Sequence, residues 1–449
     1  MSDALKTDMY EFTMLEAYIH NGIVDRKAVF ELFGRKLPEG RQYGVVAGTA
    51  RAVEAIKNFR FSEDELATLA TKLKPETIEY LRNYKFSGIV RGYREGDYWF
   101  PYAPLLTLEA TLGEGIILET LLLSIFNYDS AVASAASRMR KAAGDMFLME
   151  FGARRVNESA AVEATRATYL AGFNATSNVE AYHKYGVPVT GTAAHAFTLT
   201  FPTEEEAFRA QINTFGTKTT LLVDTYDIYE GVNNAIKAAG TELYAVRIDS
   251  GDPFIVIPAV REQLDNLGAV NTKIVLSGDV DTALIVELKE RNIPVDSLGV
   301  GTSVVTGDGA VACGFVYKLV EVEQNGVMVP VAKKSAGGKK SLGGRKTSYR
   351  VVENDVVVAE KHYTQLPKNV LGRNVSYSTD DTKAVAHSSL VTEDIQPQGI
   401  ALQVTYIENG EVATVPSLEE ARALHLETLS TVDVGSVTVQ VDGFDLWSN

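Results

Sequence analysis

Short apolar runs alternate with helical patterns between about residue 145 and residue 300. Each run ends in Gly, Asp, Ser or Thr, and an apolar residue then recurs at every third or fourth position. Repeated β-α units of this kind predict parallel strands joined by right-handed crossovers. The predicted strands are Met146–Phe151, Val187–Gly191, Thr220–Val223, Leu243–Ile248, Lys273–Leu276 and Ser297–Val300. The predicted helices between them are Ser159–Leu170, Glu204–Phe215, Ile228–Ala239, Pro258–Leu267 and Thr282–Arg291.

These units lack a Gly-x-Gly-x-x-Gly turn after the first strand, which favours a barrel or partial barrel over a dinucleotide-binding sheet. The regions before and after them differ in pattern. The first region is mixed α+β and contains a long, nearly all-apolar helix, Ile116–Lys141. After Phe315 the pattern is β-rich, with hairpin turns predicted at Asn325-Gly326 and Asn409-Gly410. We predict an α/β protein with an N-terminal α+β domain (1–140), a barrel-like domain (141–315) and a region with a basic loop, strands and a helix (316–449).

Composition narrows the class of protein. The chain has 449 residues, of which 43 are Lys or Arg and 58 are Asp or Glu, so its net charge is −15. A surface this negative repels phosphate backbones and argues against general nucleic-acid binding. The single cysteine, Cys313, excludes an internal disulfide and a cysteine-based zinc cluster. Because no leader and no long apolar run occurs, we expect a soluble, cytoplasmic protein without a membrane partner.

A basic stretch interrupts this acidic chain. Between Gln324 and Val352 no acidic residue occurs, and glycines separate the positive charges. One interpretation is a solvated flexible loop, and the other is a lid that closes over phosphates. The sequence leaves both open. The basic residues are Lys333, Lys334, Lys339, Lys340, Arg345, Lys346 and Arg350.

Polar residues follow the predicted strands, and in a β/α barrel such strand ends meet on the face that carries the active site. Ser277-Gly278-Asp279 and Gly299-Val300-Gly301-Thr302 lie where free backbone N–H groups can hold a phosphate. The guanidinium groups of Arg154, Arg155 and Arg247 suit carboxylates or phosphates.

The acidic residues and histidines have alternative interpretations. Asp249 and Asp252 could hold sugar hydroxyls or hydrated Mg²⁺, although a strand-end salt bridge between Arg247 and Asp249 is the simpler structural alternative. For Asp279 or Asp281 taken alone, an N-cap role is favoured over catalysis. His195 follows Gly191-Thr192-Ala193-Ala194 among the polar strand ends, which favours a functional role over a structural one. The remaining histidines considered, His183, His362 and His387, are expected at the surface.

Together these motifs resemble the nicotinate phosphoribosyltransferase family, in order and spacing, from about residue 7 to about residue 350. The resemblance implies a type II phosphoribosyltransferase fold, with an N-terminal α+β domain, an incomplete β/α barrel and a smaller C-terminal region. The motifs are Thr7-Asp8-Met9-Tyr10, Glu150-Phe151-Gly152-Ala153-Arg154-Arg155, Thr176-Ser177-Asn178, Gly191-Thr192-Ala193-Ala194-His195, Arg247-Ile248-Asp249-Ser250-Gly251-Asp252 and Gly299-Val300-Gly301-Thr302-Ser303.

The resemblance also implies a reaction. Nicotinate and phosphoribosyl pyrophosphate would give nicotinate mononucleotide and pyrophosphate in NAD salvage, with ATP hydrolysis coupled through a phosphohistidine, in a ligase-type enzyme. ATP is then a co-substrate, Mg²⁺ the expected cofactor and a homodimer the expected assembly. The implied catalytic residues are His195 and Asp249, and the implied substrate-binding residues are Tyr10, Arg154, Thr192, Arg247, Ser277, Gly278, Asp279, Gly301 and Thr302.

Three other kinds of protein are alternatives to a nicotinate phosphoribosyltransferase. A nicotinamide phosphoribosyltransferase would share the fold, but Arg247 suits a ligand that carries a carboxylate. A barrel aldolase or isomerase would need a Schiff-base lysine or an acid/base pair at a strand end, and no predicted strand ends in Lys. A non-catalytic binding protein would not need His195, Arg247 and Asp249 intact.

Overall fold

The computed structural model describes residues 3–333, 341–364, 399–442 and 444–448. They form two compact units, of which the first combines Met1–Ser130 with Ala312–Asn449 and the second is Ala131–Val311. The N-terminal and C-terminal regions, treated as separate by the sequence pattern, therefore belong to one unit. The chain crosses between the units near residues 130 and 311, close to the predicted boundaries at 140 and 315.

The helices of the described residues are α1 Met9–His20, α2 Thr49–Asn58, α3 Glu63–Leu69, α4 Pro75–Arg82, α5 Leu112–Ile116, α6 Glu119–Ala143, α7 Glu158–Leu170, α8 Val179–Tyr185, α9 His195–Leu199, α10 Glu204–Phe215, α11 Ile228–Ala239, α12 Pro253–Asn266, α13 Thr282–Glu290, α14 Thr302–Val305 and α15 Leu418–Thr431. In this part of the chain no helix is long and apolar enough to cross a membrane.

The strands of the same residues are β1 Lys27–Gly34, β2 Gly44–Val45, β3 Ile89–Tyr93, β4 Tyr98–Trp99, β5 Leu106–Thr111, β6 Phe147–Glu150, β7 Ala175–Thr176, β8 Thr220–Leu222, β9 Ala245–Ile248, β10 Lys273–Ser277, β11 Ser297–Val300, β12 Phe315–Gln324, β13 Val327–Pro330, β14 Lys346–Glu353, β15 Val356–Thr364, β16 Ile400–Ala401, β17 Gln403–Glu408, β18 Glu411–Val412, β19 Asp433–Val441 and β20 Phe444–Ser448.

Antiparallel pairing between distant parts of the chain builds the first unit. Its largest sheet has the order β13-β12-β1-β5-β3-β17-β18, so strands from both ends of the sequence alternate. Asn325-Gly326 joins β12 to β13 and Asn409-Gly410 joins β17 to β18, and all four residues have positive φ. Positive φ at both central residues suits a two-residue hairpin turn. Both predicted turns are confirmed.

The described part of the basic stretch is structural, which is a correction to the lid interpretation for these residues. Lys346 forms a buried ion pair with Glu31. Arg350 forms buried ion pairs with Asp97 and Glu360. These three ion pairs hold β14 in place. A buried charge is stable only when it is paired, so the basic side chains stay with their acidic partners. Residues 334–340, with Lys334, Lys339 and Lys340, lie outside the described residues.

The second unit contains a six-stranded, all-parallel sheet in the order β7-β6-β11-β10-β9-β8. The sheet is curled, with helices against it, which confirms the predicted α/β fold with an incomplete barrel. The predicted strand at Val187–Gly191 is wrong. The strand is Ala175–Thr176, and Val189 contributes a single bridge to Thr176. Pro188 has no N–H to continue a ladder.

The helices that follow β8, β9 and β10 begin at polar caps. The side chains of Asp227, Asp252 and Asp281 accept hydrogen bonds from the first turns of α11, α12 and α13. Helix α12 begins at Pro253, before the predicted start at Pro258. Pro258 lies inside the helix and does not begin it.

Two of the histidine predictions can be compared with the structure. His183 is exposed on α8, as expected. His362 is fully buried on β15, so its predicted surface position is wrong. Its Nδ1 lies 2.8 Å from Oγ of Ser348 on the neighbouring strand β14. His387 lies outside the described residues.

Candidate active site

Arg247 on β9 donates to three polar side chains, those of Ser277 at the end of β10, Asp249 directly after β9 and Thr192 in the segment before α9. Its Nε donates to Oγ of Ser277 at 2.7 Å, and one Nη donates to Oγ1 of Thr192 at 3.1 Å. The other Nη donates to Oδ1 of Asp249 at 2.7 Å. The arginine side chain is only 14% exposed. These bonds fix the guanidinium group in one orientation at the end of the sheet.

Asp249 is held as an anion. Burial raises the pKa of its carboxyl group, but hydrogen bonds from Ser277 and Arg247 and the charges of Arg247 and His195 outweigh burial and lower the pKa. Ser277 donates to Oδ1 of Asp249, the same oxygen that accepts from Arg247. The salt bridge between Arg247 and Asp249 is therefore present, within a larger network of strand-end residues.

An aromatic ring lies under this network. The centroid of Phe151 is 5.6 Å from Cζ of Arg247, a distance at which a cation is attracted to a ring face. Phe151 follows β6, and a side chain at Gly299 on neighbouring β11 would overlap its ring. The glycine thus leaves room for the ring beside the guanidinium group.

His195 lies next to a buried carboxylate. Its Nδ1 is 3.1 Å from Oγ1 of Thr225, and its Nε2 is 4.0 Å from Oδ1 of Asp224. The histidine side chain is 43% exposed, whereas that of Asp224 is 1% exposed. Oδ2 of Asp224 accepts from the backbone N–H of Asp249 at 2.9 Å and from Oγ of Ser250 at 2.6 Å. One acid therefore joins the histidine to the loop of Asp249.

The turn after β10 has the conformation of a close-packed loop. Gly278 has a φ of +89°, and a Cβ there would overlap the carbonyl oxygen of Asp249. Asp279 also has a positive φ, of +48°, and it is Asp281, not Asp279, that caps α13. The N-cap role predicted for Asp279 or Asp281 is therefore confirmed at Asp281, whereas Asp279 lies in the left-handed turn before the helix.

No group of three His, Cys, Asp or Glu side chains is arranged to hold a metal ion in the part of the chain that the structure describes. The carboxylates expected to bind a cation already have partners. Oδ1 of Asp249 accepts from Arg247 and Ser277, and Oδ1 of Asp252 accepts from the N–H of Phe254 at 2.9 Å. This donor set does not fit a metal held by the protein alone.

Known proteins resemble this chain over most of its length. Two family models match the chain, the nicotinate phosphoribosyltransferase N-terminal domain at residues 5–127 and the nicotinate phosphoribosyltransferase family at residues 146–362. The nicotinate phosphoribosyltransferase pncB1 of Mycobacterium tuberculosis is 53% identical over 354 residues, which cover 77% of this chain and 78% of that protein. This chain belongs to the nicotinate phosphoribosyltransferase family.

Other members of the nicotinate phosphoribosyltransferase family are similar over comparable lengths. The Bacillus subtilis nicotinate phosphoribosyltransferase is 38% identical over 373 residues, which cover 81% of this chain and 76% of that one. The crystal structure of human nicotinic acid phosphoribosyltransferase superposes with a TM-score of 0.76 at 26% identity, covering 95% of this chain and 94% of the human one. These comparisons support nicotinate phosphoribosyltransferase function in NAD biosynthesis and do not favour the nicotinamide alternative.

The residues expected to bind substrate in a nicotinate phosphoribosyltransferase fall into two groups. Arg247, Thr192, Ser277 and Gly278 form one connected cluster with Asp249, the residue expected to be catalytic, and Asp279 follows Gly278 in the same turn. The others lie on separate elements. Arg154 is exposed after β6, Gly301 and Thr302 join β11 to α14, and Tyr10 is on α1 in the first unit.

Sequence reasoning did not assign roles to Asp224, Thr225 and Phe151. Asp224 and Thr225 follow the predicted strand Thr220–Val223, and Phe151 ends the first predicted strand. The sequence feature that could have pointed to these three residues is their position at the ends of predicted strands. Their contacts with His195 and Arg247 depend on how neighbouring strands align in the sheet, which local pattern does not reveal.

Proposed function

We propose that this protein transfers the phosphoribosyl group of phosphoribosyl pyrophosphate to nicotinate, and that it couples ATP hydrolysis to the transfer through phosphorylation of His195. The observation that carries the proposal is the half-exposed His195 ring, whose Nε2 edge faces the buried carboxylate of Asp224. A carboxylate on the side of one ring nitrogen favours the tautomer with its proton on that nitrogen, which leaves the lone pair of the other nitrogen for attack.

The transfer step needs positioning and charge stabilisation more than a covalent partner. The C1–O bond to pyrophosphate breaks, the ring nitrogen of nicotinate bonds to C1, and the ribose develops positive charge between these events. Arg247 makes four hydrogen bonds, to Ser277, Thr192, Asp249 and the carbonyl oxygen of Ala193, and its remaining N–H can pair with the nicotinate carboxylate. Nicotinamide has no such charge, so this site favours the acid.

The ATP step uses His195. With an N–H at Nε2 directed toward Asp224, the lone pair is on Nδ1, which Thr225 holds in place at 3.1 Å. Nδ1 attacks the γ-phosphorus, the N–P bond forms, and the P–O bond to ADP breaks with its electron pair leaving on ADP. Attack from the Nε2 edge is unfavourable because the Asp224 carboxylate would repel the phosphate. Water then hydrolyses the phosphohistidine and releases inorganic phosphate.

We further propose that Mg²⁺ enters with the phosphates of the substrates. A magnesium ion keeps several waters and binds through phosphates and few carboxylates, where it neutralises phosphate charge. This accords with carboxylates of Asp249 and Asp252 that already accept hydrogen bonds.

The expected homodimer also belongs to the proposal, with Tyr10 of one subunit serving the site of the other. Mixing two inactive variants, Tyr10→Ala and Arg247→Ala, tests it. Recovery of activity in the mixture is expected, because some mixed dimers contain one intact site. Failure to recover activity in mixed dimers of verified composition contradicts a site shared between subunits.

The deciding experiment compares the purified protein with His195→Ala and with His183→Ala, an exposed histidine on α8. Nicotinate, nicotinamide and quinolinate are offered in parallel with phosphoribosyl pyrophosphate, Mg²⁺ and ATP. Nicotinate mononucleotide alone is expected, faster with ATP. His195→Ala should lose ATP hydrolysis and ATP stimulation but keep slow transfer, whereas His183→Ala should match the parent protein. An unchanged ATP response in His195→Ala contradicts the phosphohistidine.

A further inference from the structure

A buried carboxyl group links two chain segments that lead to the candidate active site. Glu150 ends β6 and is 0% exposed. Its Oε1 accepts a hydrogen bond from the backbone N–H of Gly152, and its Oε2 accepts from the hydroxyl groups of Thr165 at 2.9 Å and Thr176 at 2.7 Å. Buried carboxyl oxygens need such donors. Since both oxygens are used inside the protein, Glu150 acts on the site through these neighbours and not by contact with a substrate.

The bond to Gly152 fixes the chain directly after β6. Phe151 lies between Glu150 and Gly152, and its own N–H donates to the carbonyl oxygen of Val300 on β11 at 2.8 Å. The backbone is therefore held on both sides of Phe151. The ring of Phe151 lies 5.6 Å from Cζ of Arg247, so this backbone determines where the ring meets the guanidinium group.

The bond to Thr176 leads to the other side chain beside the guanidinium group. The N–H of Thr176 donates to the carbonyl oxygen of Pro188 at 2.9 Å, and its carbonyl oxygen accepts from the N–H of Thr190 at 2.8 Å. Thr190 is two residues before Thr192, whose hydroxyl oxygen accepts from Arg247 at 3.1 Å. The buried carboxyl group is thus connected to Thr192 through the turn of Thr176.

Thr165 makes the same contact with Glu150 but leads away from the site. Its hydroxyl group also lies within hydrogen-bond distance, 3.1 Å, of the carbonyl oxygen of Ala161, one turn earlier in α7. Thr165 and Thr176 are both 0% exposed, and their hydroxyl groups meet the same oxygen of Glu150. The two threonines therefore differ in what they connect to Glu150 and not in how they bind it.

We propose that Glu150 is a positioning residue for the nicotinate end of the site, which holds Phe151 and Thr192 in their places beside Arg247. The inference rests on the pairing of Arg247 with the nicotinate carboxylate proposed above. A hydrogen bond weakens steeply when its angle departs from linear, so the one remaining N–H of Arg247 must be well aimed to bind the carboxylate. Loss of the Glu150 bonds should therefore weaken nicotinate binding more than it weakens phosphoribosyl pyrophosphate binding.

Two substitutions at Glu150 separate its hydrogen bonds from its charge. Glu150→Met has a side chain of similar length but leaves the N–H of Gly152 and the hydroxyl of Thr176 without their acceptor. In Glu150→Gln the amide oxygen can accept from Gly152, and the amide N–H groups can donate to the threonine hydroxyls, which accept as well as donate. We expect Glu150→Met to raise KM for nicotinate about tenfold, the size of one lost hydrogen bond, and Glu150→Gln to restore most of it.

Thr176→Val and Thr165→Val form a matched pair that remains informative should Glu150→Met not fold. Each removes one buried hydroxyl group from the same oxygen of Glu150, so both should lower the midpoint of denaturant unfolding by similar amounts. Only Thr176→Val loosens the connection to Thr192. We expect it to raise KM for nicotinate several-fold and to lower the preference for nicotinate over nicotinamide, whereas Thr165→Val should keep the KM and the preference of the parent protein.

The test measures kcat and KM of the full-length protein and the four variants, with nicotinate, nicotinamide and phosphoribosyl pyrophosphate varied in turn and with Mg²⁺ and ATP in every assay. The KM for phosphoribosyl pyrophosphate should change little in all of them. If the parent protein forms no nicotinate mononucleotide, the proposed function itself fails. If the parent is active, three results would overturn the role of Glu150 alone. They are an unchanged KM for nicotinate in Glu150→Met and Thr176→Val, equal effects of Thr176→Val and Thr165→Val, and no restoration by Glu150→Gln.

Discussion

The ammonium group of Lys346 lies 2.7 Å from Oε2 of Glu31, and the two side chains are 3% and 1% exposed. The same ammonium donates to the carbonyl oxygens of Leu342 and Gly344, at 3.2 Å and 2.9 Å. Three acceptors thus satisfy the three donor positions of the lysine. The pair ties the start of β14 to β1, although 315 residues separate them in sequence.

Lys346→Met should destabilise the protein by about 3–5 kcal/mol, because it leaves the carboxylate of Glu31 buried without its counter-charge. Denaturant unfolding measures the loss. The double variant Lys346→Met with Glu31→Gln should recover much of it, since no buried charge remains. Lys237→Met removes an exposed lysine paired with Glu205 and should change little. A single variant as stable as the parent protein would show that the pair does not stabilise the fold.

Stability should fall with acid because two buried histidines are held neutral. Burial lowers the pKa of His425 to about 4 and that of His362 to about 3. Between pH 6.5 and these values the unfolded chain binds protons that the folded protein does not. The stabilisation is complete above pH 6.5 and is lost as the pH falls toward 4, by about 1.4 kcal/mol per pH unit for each histidine.

His425→Asn tests this dependence. Nδ1 of His425 lies 2.9 Å from the carbonyl oxygen of Gly96, and the Asn amide can donate the same bond without titrating. Free energies of unfolding measured from pH 7 to pH 5 should fall less steeply in this variant. His183→Asn, at an exposed site, should leave the slope unchanged. Equal slopes for His425→Asn and the parent protein would assign the acid sensitivity to other groups.

Gly278→Ala should disturb the site more than the fold as a whole. The positive φ disfavours Ala, and its Cβ would overlap the carbonyl oxygen of Asp249. Gly186→Ala is a matched control, with a φ of +71° and no atom within 4 Å of the added Cβ. The control should lose about 1 kcal/mol of stability and keep its activity. Gly278→Ala should lose transferase activity, measured as the nicotinate mononucleotide formed. Equal activities of Gly278→Ala and Gly186→Ala would show that the close approach of Gly278 to the carbonyl oxygen of Asp249 is not needed.

The sequence predicted the parts of the fold that local pattern determines. The helices Glu204–Phe215 and Ile228–Ala239 have the predicted bounds, and the strand ends carrying Arg247 and Ser277 meet as parallel strands require. Long-range pairing was not predictable. Lys346 looked like part of a solvated or lid-forming loop because its partner, Glu31, is 315 residues away. The same limitation concealed that Asp224 lies beside His195.

The choice between nicotinate and nicotinamide should depend on the contacts that Arg247 makes. Its guanidinium group has five N–H donors and makes four hydrogen bonds, to Ser277, Thr192, Asp249 and the carbonyl oxygen of Ala193. Lys keeps the positive charge but lacks the planar fork. Arg247→Lys should therefore raise KM for nicotinate about 10- to 100-fold, which corresponds to the loss of one hydrogen bond to a charged group. The ratio of kcat/KM for nicotinate to that for nicotinamide should fall by a similar factor, because the amide does not depend on the ion pair. Arg209→Lys, at an exposed arginine on α10, should leave both values unchanged. Equal losses for the two substrates would mean that Arg247 organises the strand ends through Ser277 and Asp249 and does not contact the carboxylate.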